Sequence, residues 1–190
     1  MSSGLPIVQA SSTAEGRAMQ SHVTIREARS DEFEGLGQLM VSVYSRLEGF
    51  PGPDEQPKYY ELLAHIGRMS ERPATRLLVA VSGDALVGGV VYFSDMAQYG
   101  SGGSATREKD AAGFRLLAVD PGARGLGVGR ALVEACIARA KEDGVSQVII
   151  HTTRAMTVAW KMYERMGFER SPDLDFRQEA LEVFGLRLRL

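Results

Sequence analysis

The chain has 190 residues, is 44% hydrophobic and 24% charged, and carries a formal net charge of −2. This fits a soluble globular protein with a core of its own, and excludes a whole-protein field that would draw it to nucleic acid or an anionic membrane. The single cysteine, Cys136, excludes an internal disulfide and fits a reducing, cytoplasmic setting, and no apolar run approaches the ~20 residues of a membrane helix.

Residues 1–21 are mostly small and polar and lack the basic start and apolar stretch of a secretory signal. They read as a disordered leader before one folded domain over 22–190. "VTIREAR" (23–29) alternates as a first strand, and Ser30 and Asp31 offer cap oxygens to a helix through "EFEGLGQLMVSVYSRL", where Leu36, Leu39, Met40, Val43 and Leu47 form the apolar stripe. Residues 49–57 are a proline-rich loop, and 58–72 read as a second helix. Strands 76–82 and 85–95 flank a Gly83-Asp84 hairpin turn. The polar, glycine-rich stretch 96–110 is long enough to imply function or disorder. A buried strand (113–119), a helix (129–143), a strand (146–152), a helix (155–166) and an alternating strand within 179–190 complete the chain. The expected fold class is mixed α/β, a sheet covered by helices.

The most informative stretch is "LLAVDPGARGLGVGRALVEA" (116–135), where strand, glycine-rich turn and helix start follow one another. A helix N-terminus has unpaired N–H groups and partial positive charge, glycines let backbone approach an anion, and Arg124 adds a charged fork. The P-loop pattern is excluded because no Lys-Ser or Lys-Thr occurs. The dinucleotide pattern fails on spacing, since Gly125, Gly127 and Gly129 run G-x-G-x-G. Arg124, Gly127 and Gly129 do satisfy Arg/Gln-x-x-Gly-x-Gly/Ala.

On this segment, and on "AWKMYERMGFER" (159–170) with Ala159, Tyr163, Gly167 and Phe168, the chain resembles the GCN5-related N-acetyltransferase (GNAT) superfamily. Met156 stands where that family often has a cofactor-holding asparagine. The resemblance implies a mixed, mostly antiparallel sheet splayed at the cofactor site, with helices on both faces. It implies acetyl-CoA as co-substrate, held by Leu117 and Val119 backbone and by Arg124, Gly125, Leu126, Gly127, Val128, Gly129 and Arg130. Tyr163 becomes the general acid for the departing thiolate, where spacing alone favours a packing aromatic. The implied reaction is acetyl transfer to a primary amine of a small molecule, peptide or protein, in a ternary complex. The alternatives are a module of the same fold that binds acyl-CoA without catalysis, and a different nucleotide-phosphate enzyme using the same loop. A homodimer is common for such folds.

No general base is readable. Strand 113–119 offers only Arg115 where some relatives carry a carboxylate, and Glu108 and Asp110 read as solvated loop. Tyr92 and Asp95 are candidates to face the acceptor, whereas His151, Cys136 and Trp160 read first as structural. No metal-ligand spacing appears. Glu48, Asp54, Glu55, Asp173 and Asp175 give the acceptor edges an acidity that suits a cationic amine.

Overall fold

In the computed structural model residues 22–190 are described, and the leader expected over 1–21 lies outside the described residues. Runs of β-formers fold into β1 (Val23–Glu27), β2 (Thr75–Ser82), β3 (Ala85–Phe93), β4 (Ala111–Val119), β5 (Gln147–Thr152), β6 (Glu169–Arg170), β7 (Phe176–Gln178) and β8 (Leu181–Arg189). They make one sheet of order β1-β2-β3-β4-β5-β8-β6, with β7 paired to β8. Among the described residues every pairing is antiparallel except β4 with β5.

Side chains alternate across a strand, so the sheet feeds two cores. Leu77, Val79, Val91, Phe93 and Ile149 meet α1 (Phe33–Ser45) and α2 (Pro57–Ala64) on one face. Leu78, Ala80, Val90, Tyr92, Val148 and Ile150 meet α3 (Val128–Glu142) and α4 (Thr157–Arg165) on the other. Cys136 is buried in the second core, as its place on the apolar face of α3 implies.

The helix expected over 58–72 stops at Ala64 and continues as a 3-10 turn, Ile66–Glu71. Gly67 lies within this turn, so close beneath the Phe33 ring that a Cβ would meet it at 2.6 Å. The stretch 96–110 is neither extended nor featureless. It holds two short 3-10 turns, Met96–Gln98 and Ala105–Arg107, and it buries Met96, Tyr99 and Ala105 in the first core.

Two features of β4 open the sheet. It pairs with β5 only over Ala111–Gly113, opposite Gln147–Ile149. Its register against β3 then slips between Gly89↔Ala118 and Val91↔Arg115, with Leu116 at a φ of +60°. This is a bulge: one extra residue in β4, a local bend, and two successive side chains, Arg115 and Leu116, sent to the same face. Beyond Gly113 the two parallel strands part, and a wedge opens between them.

Candidate functional site

The wedge between β4 and β5 opens onto a cleft of about 860 Å³ that reaches both faces of the sheet. At one end lies the glycine-rich turn. Asp120 starts it: its N–H donates to Val87 O at 2.8 Å, and its carboxylate accepts from Gly122 N–H at 2.8 Å. Because Asp120 faces β3, alternation turns the backbone groups of Leu117 and Val119 away from β3, toward the wedge. Gly125 and Gly127 follow at φ of +77° and +78°, in the left-handed region that favours glycine, and no atom lies within 4 Å of where their Cβ would stand. Helix α3 starts at Val128, so the first-turn N–H groups, which have no partner within the helix, border this open cradle.

Leu117, Val119, Arg124, Gly125, Gly127, Val128, Gly129, Arg130 and Tyr163 all line the cleft. Leu126 does not: it is 63% exposed and borders a separate hollow of about 210 Å³ with Val23 and Val87, because left-handed glycines on either side turn it outward. Arg124 is exposed, and Arg130 is tied to Glu134 one turn along α3 at 2.7 Å. Tyr163 is 5% exposed and sits edge-on to Phe114 and Phe168, at ring separations of 5.9 and 5.8 Å. Burial pushes its phenol well above the ordinary value, so it keeps its proton at neutral pH.

Thr152 and Thr153, at the end of β5, also line the cleft. Their hydroxyls are buried with no hydrogen-bond partner among the described residues. Buried hydroxyls without partners are costly, so these two are set to bond something that enters the wedge.

The other end of the cleft lies on the α1/α2 side. Tyr44, Phe50 and Tyr59 form a three-ring wall with separations of 5.6 to 5.9 Å. Arg115 and His151 line it with them. The Arg115 guanidinium donates to Tyr99 O at 2.8 Å and stacks over the Tyr99 ring at 5.4 Å. His151 Nε2 lies 2.9 Å from Leu174 O, an acceptor only, so Nε2 carries the proton and Nδ1 accepts from the Tyr99 hydroxyl at 3.1 Å. Burial lowers the His151 pKa, which keeps the ring neutral.

Several candidates lie elsewhere. Tyr92 points to the opposite face, where its hydroxyl donates to Asp143 at 2.6 Å, and Asp95 accepts from Ala97 N–H at 2.9 Å. Neither lines the cleft. Of the five acidic edge residues only Glu48 does. Asp173 pairs with Arg187 at 2.7 Å, Asp175 with Arg170 at 2.8 Å, and Glu55 accepts from Gly52 N–H at 2.7 Å. Glu108 pairs with Arg187 at 2.9 Å, rather than being free in a solvated loop. Trp160 packs on Phe184 at 5.2 Å, as a structural residue.

Tyr44, Phe50, Tyr59, Tyr99, Thr152 and Thr153 are residues the sequence reading does not single out. Tyr44 carries a usable signal, four residues after Met40 in the apolar stripe of α1. The β7–β8 hairpin brings Phe176, Gln178, Leu181 and Val183 to the mouth of the cleft.

A family model described as the acetyltransferase (GNAT) family matches residues 40–168. The mycothiol acetyltransferase of Geodermatophilus obscurus is 39% identical over 64 residues, which is 33% of this chain and 21% of that protein. The chain thus spans about a fifth of the length of that relative. Among solved structures, the PaiA N-acetyltransferase of Thermoplasma acidophilum, in complex with coenzyme A, superposes with a TM-score of 0.68 at 14% identity, over 89% of this chain and 99% of that chain. Salmonella typhimurium yncA, solved with its cofactor acetyl-CoA, gives 0.58 at 15% identity, over 88% of this chain and 93% of that one. The splayed sheet, the helices on both faces and the family match over two thirds of the chain agree: the chain belongs to the acetyltransferase (GNAT) family.

Proposed function

We propose that the cleft binds acetyl-CoA and that the protein transfers its acetyl group to a primary amine within a ternary complex. The observation that carries this reading is the wedge itself, with an open glycine cradle at one end and an aromatic chamber at the other. An extended thioester-bearing arm fits between β4 and β5, where strand pairing stops after Gly113. The residues present suit such a ligand. The cradle of Gly125, Gly127 and the α3 N-terminus suits a pyrophosphate, with Arg124 adding charge. The unpaired hydroxyls of Thr152 and Thr153, and the backbone of Leu117 and Val119, suit the amides of the arm. Met156 begins α4 without a side-chain cap and supplies no amide there.

Acetyl-CoA would supply an activated acyl group whose C–S bond breaks as the C–N bond to the amine forms. The chain's own part is to hold and orient both partners and to manage protons. A backbone N–H of β4 facing the wedge stabilises negative charge on the acyl oxygen. The Tyr163 phenol, kept protonated by burial, gives its proton to the leaving sulfur. The proton released by the amine passes to water in the open cleft.

Calorimetry with CoA and with pantetheine, on wild type and Arg124→Ala, tests the donor half. The expected result is CoA binding, weakened in the variant by ~1.5–3 kcal/mol, the range for a charge-assisted hydrogen bond, with pantetheine unaffected. Equal loss for both ligands removes the pyrophosphate assignment. CoA binding without transfer to any amine would leave a binding module of the same fold.

A further inference from the structure

Among the described residues, two charged side chains without an ion-pair partner line the acceptor end of the cleft: Glu48, which is exposed, and Arg115, which is half-buried. Arg115 stands on β4 just before the bulge, on the α1/α2 face that regular alternation with Ala111 and Gly113 gives it, and the bulge adds Leu116 beside it. It is half-buried, and its hydrogen bond to Tyr99 O uses one of five guanidinium donors. Among the described residues no carboxylate pairs with it. Its charge nonetheless reaches the whole chamber. It opposes the upward push of burial on Tyr44, Tyr59 and Tyr99, and adds to the lowering of His151 that burial begins.

The other cations of the cleft are differently placed. Arg154 is exposed and lies 3.4 Å from Glu182, Arg165 is exposed at the end of α4, and Arg130 is held by Glu134. Arg124 and Arg130 belong to the glycine cradle at the opposite end. The acidic residues that would have suited a purely cationic acceptor are mostly paired outside the cleft. A half-buried guanidinium without a counter-ion is electrostatically incomplete, and an incoming carboxylate completes it through two parallel hydrogen bonds.

We propose that the acceptor is an α-amino acid with an apolar or aromatic side chain, its carboxylate held by Arg115 and its side chain against Tyr44, Phe50 and Tyr59. This rests on the acetyl-CoA reading of the cleft and names the acceptor class for it. The ring wall, with separations of 5.6 to 5.9 Å, offers edges and faces to an apolar group, and the carboxylate on the lining beside it, Glu48, is exposed to solvent, where it is a weaker counter-charge than the half-buried Arg115. The same guanidinium eases the chemistry. It neutralises the carboxylate that holds the neighbouring ammonium protonated, and as a like charge it favours the neutral, nucleophilic amine. A free carboxylate base on β4 is then unnecessary. Acetylation forms the N–C bond, breaks the C–S bond, returns one proton to the thiolate and releases one to water.

The test compares each amino acid with the amine that lacks only its carboxylate: phenylalanine with phenethylamine, leucine with isoamylamine. Thiol release from acetyl-CoA is measured, and calorimetry with CoA runs alongside. Wild type should favour the amino acids by at least ~10-fold in kcat/KM, as one charge-assisted contact implies. Arg115→Gln should abolish that preference while CoA affinity stays within ~2-fold. Phenylalanine amide, which deletes the charge from the ligand, should react like phenethylamine with the unaltered protein, so the test holds even if the variant fails to fold. Equal or better use of the amines by wild type overturns the proposal. So does a loss in Arg115→Gln that is the same for both classes, the mark of a purely structural tie to Tyr99. CoA binding with transfer to neither class overturns this acceptor but leaves the donor site standing. No CoA binding overturns the donor reading, and this one with it.

Discussion

The Tyr44 hydroxyl donates to the Leu117 carbonyl at 3.1 Å, joining residues 73 positions apart. It fastens α1 to the bulged edge of β4 at a point where β5 has already turned away. Tyr44→Phe keeps the ring against Phe50 and Tyr59 and removes only that bond. We expect a loss of about 1 kcal/mol of folding stability in urea melts, since cleft water can reach the freed carbonyl. A loss several times larger would mean that the carbonyl stays buried and unpaired.

Gly127 and Gly129 separate backbone conformation from ligand access. Gly127 has a φ of +78° and open space around its Cβ position, so Gly127→Ala should cost ~1–2 kcal/mol of stability without any clash. Gly129 lacks a positive φ, and its Cβ would meet Val119 at 3.5 Å and the Met162 sulfur at 3.7 Å, ordinary contacts. Gly129→Ala should therefore leave stability unchanged or raise it by up to ~1 kcal/mol, as alanine favours a helix. Both variants should bind CoA more weakly, because a methyl group would occupy the phosphate approach. Undiminished CoA affinity in both would place the ligand away from this turn.

The glycine turn is legible in sequence because its parts are neighbours: Arg124, Gly127 and Gly129 lie within six residues and their roles follow from local backbone geometry. The two-sided sheet is legible for a similar reason, since alternation in β2, β3 and β5 is a local property. The acceptor chamber is not. It exists because β4 parts from β5 after Gly113 and bulges at Leu116, and a non-glycine residue at a φ of +60° leaves no trace in residue type. Tyr44, Tyr59 and Tyr99 come from three separate segments. The acidic edges misled for the converse reason, as Arg170 and Arg187, which neutralise Asp175 and Asp173, lie on the last strands and their partners cannot be read from charge alone.

His151 gives the fold a pH response. Burial lowers its folded pKa, and the unfolded value is ~6.5. Above that pH the ring is neutral in both states and contributes nothing. As pH falls through ~6.5 the unfolded chain binds a proton that the folded chain refuses, so stability declines until pH reaches the lower folded value. Urea melts between pH 7.5 and 5 should show this decline, and His151→Gln should remove its part of the slope. An unchanged slope in that variant would mean that the ring protonates freely in place, breaking either the Tyr99 or the Leu174 contact.

Tyr163 separates catalysis from packing. Its ring is wedged between Phe114 and Phe168, and its hydroxyl is the only part that Tyr163→Phe removes. If the phenol protonates the leaving sulfur, affinity for acetyl-CoA should hold while kcat falls by ~10²-fold or more, the usual size for loss of a general acid. The loss should shrink with an acyl donor whose thiol is more acidic, since that thiolate needs less help in leaving. A packing role gives the opposite pattern: an unchanged kcat and a stability change of at most ~1 kcal/mol. The comparison requires single-turnover rates, so that product release does not conceal the acyl-transfer step. A wild-type single-turnover rate in Tyr163→Phe, with both donors, would take the phenol out of the reaction and assign protonation of the thiolate to water in the cleft.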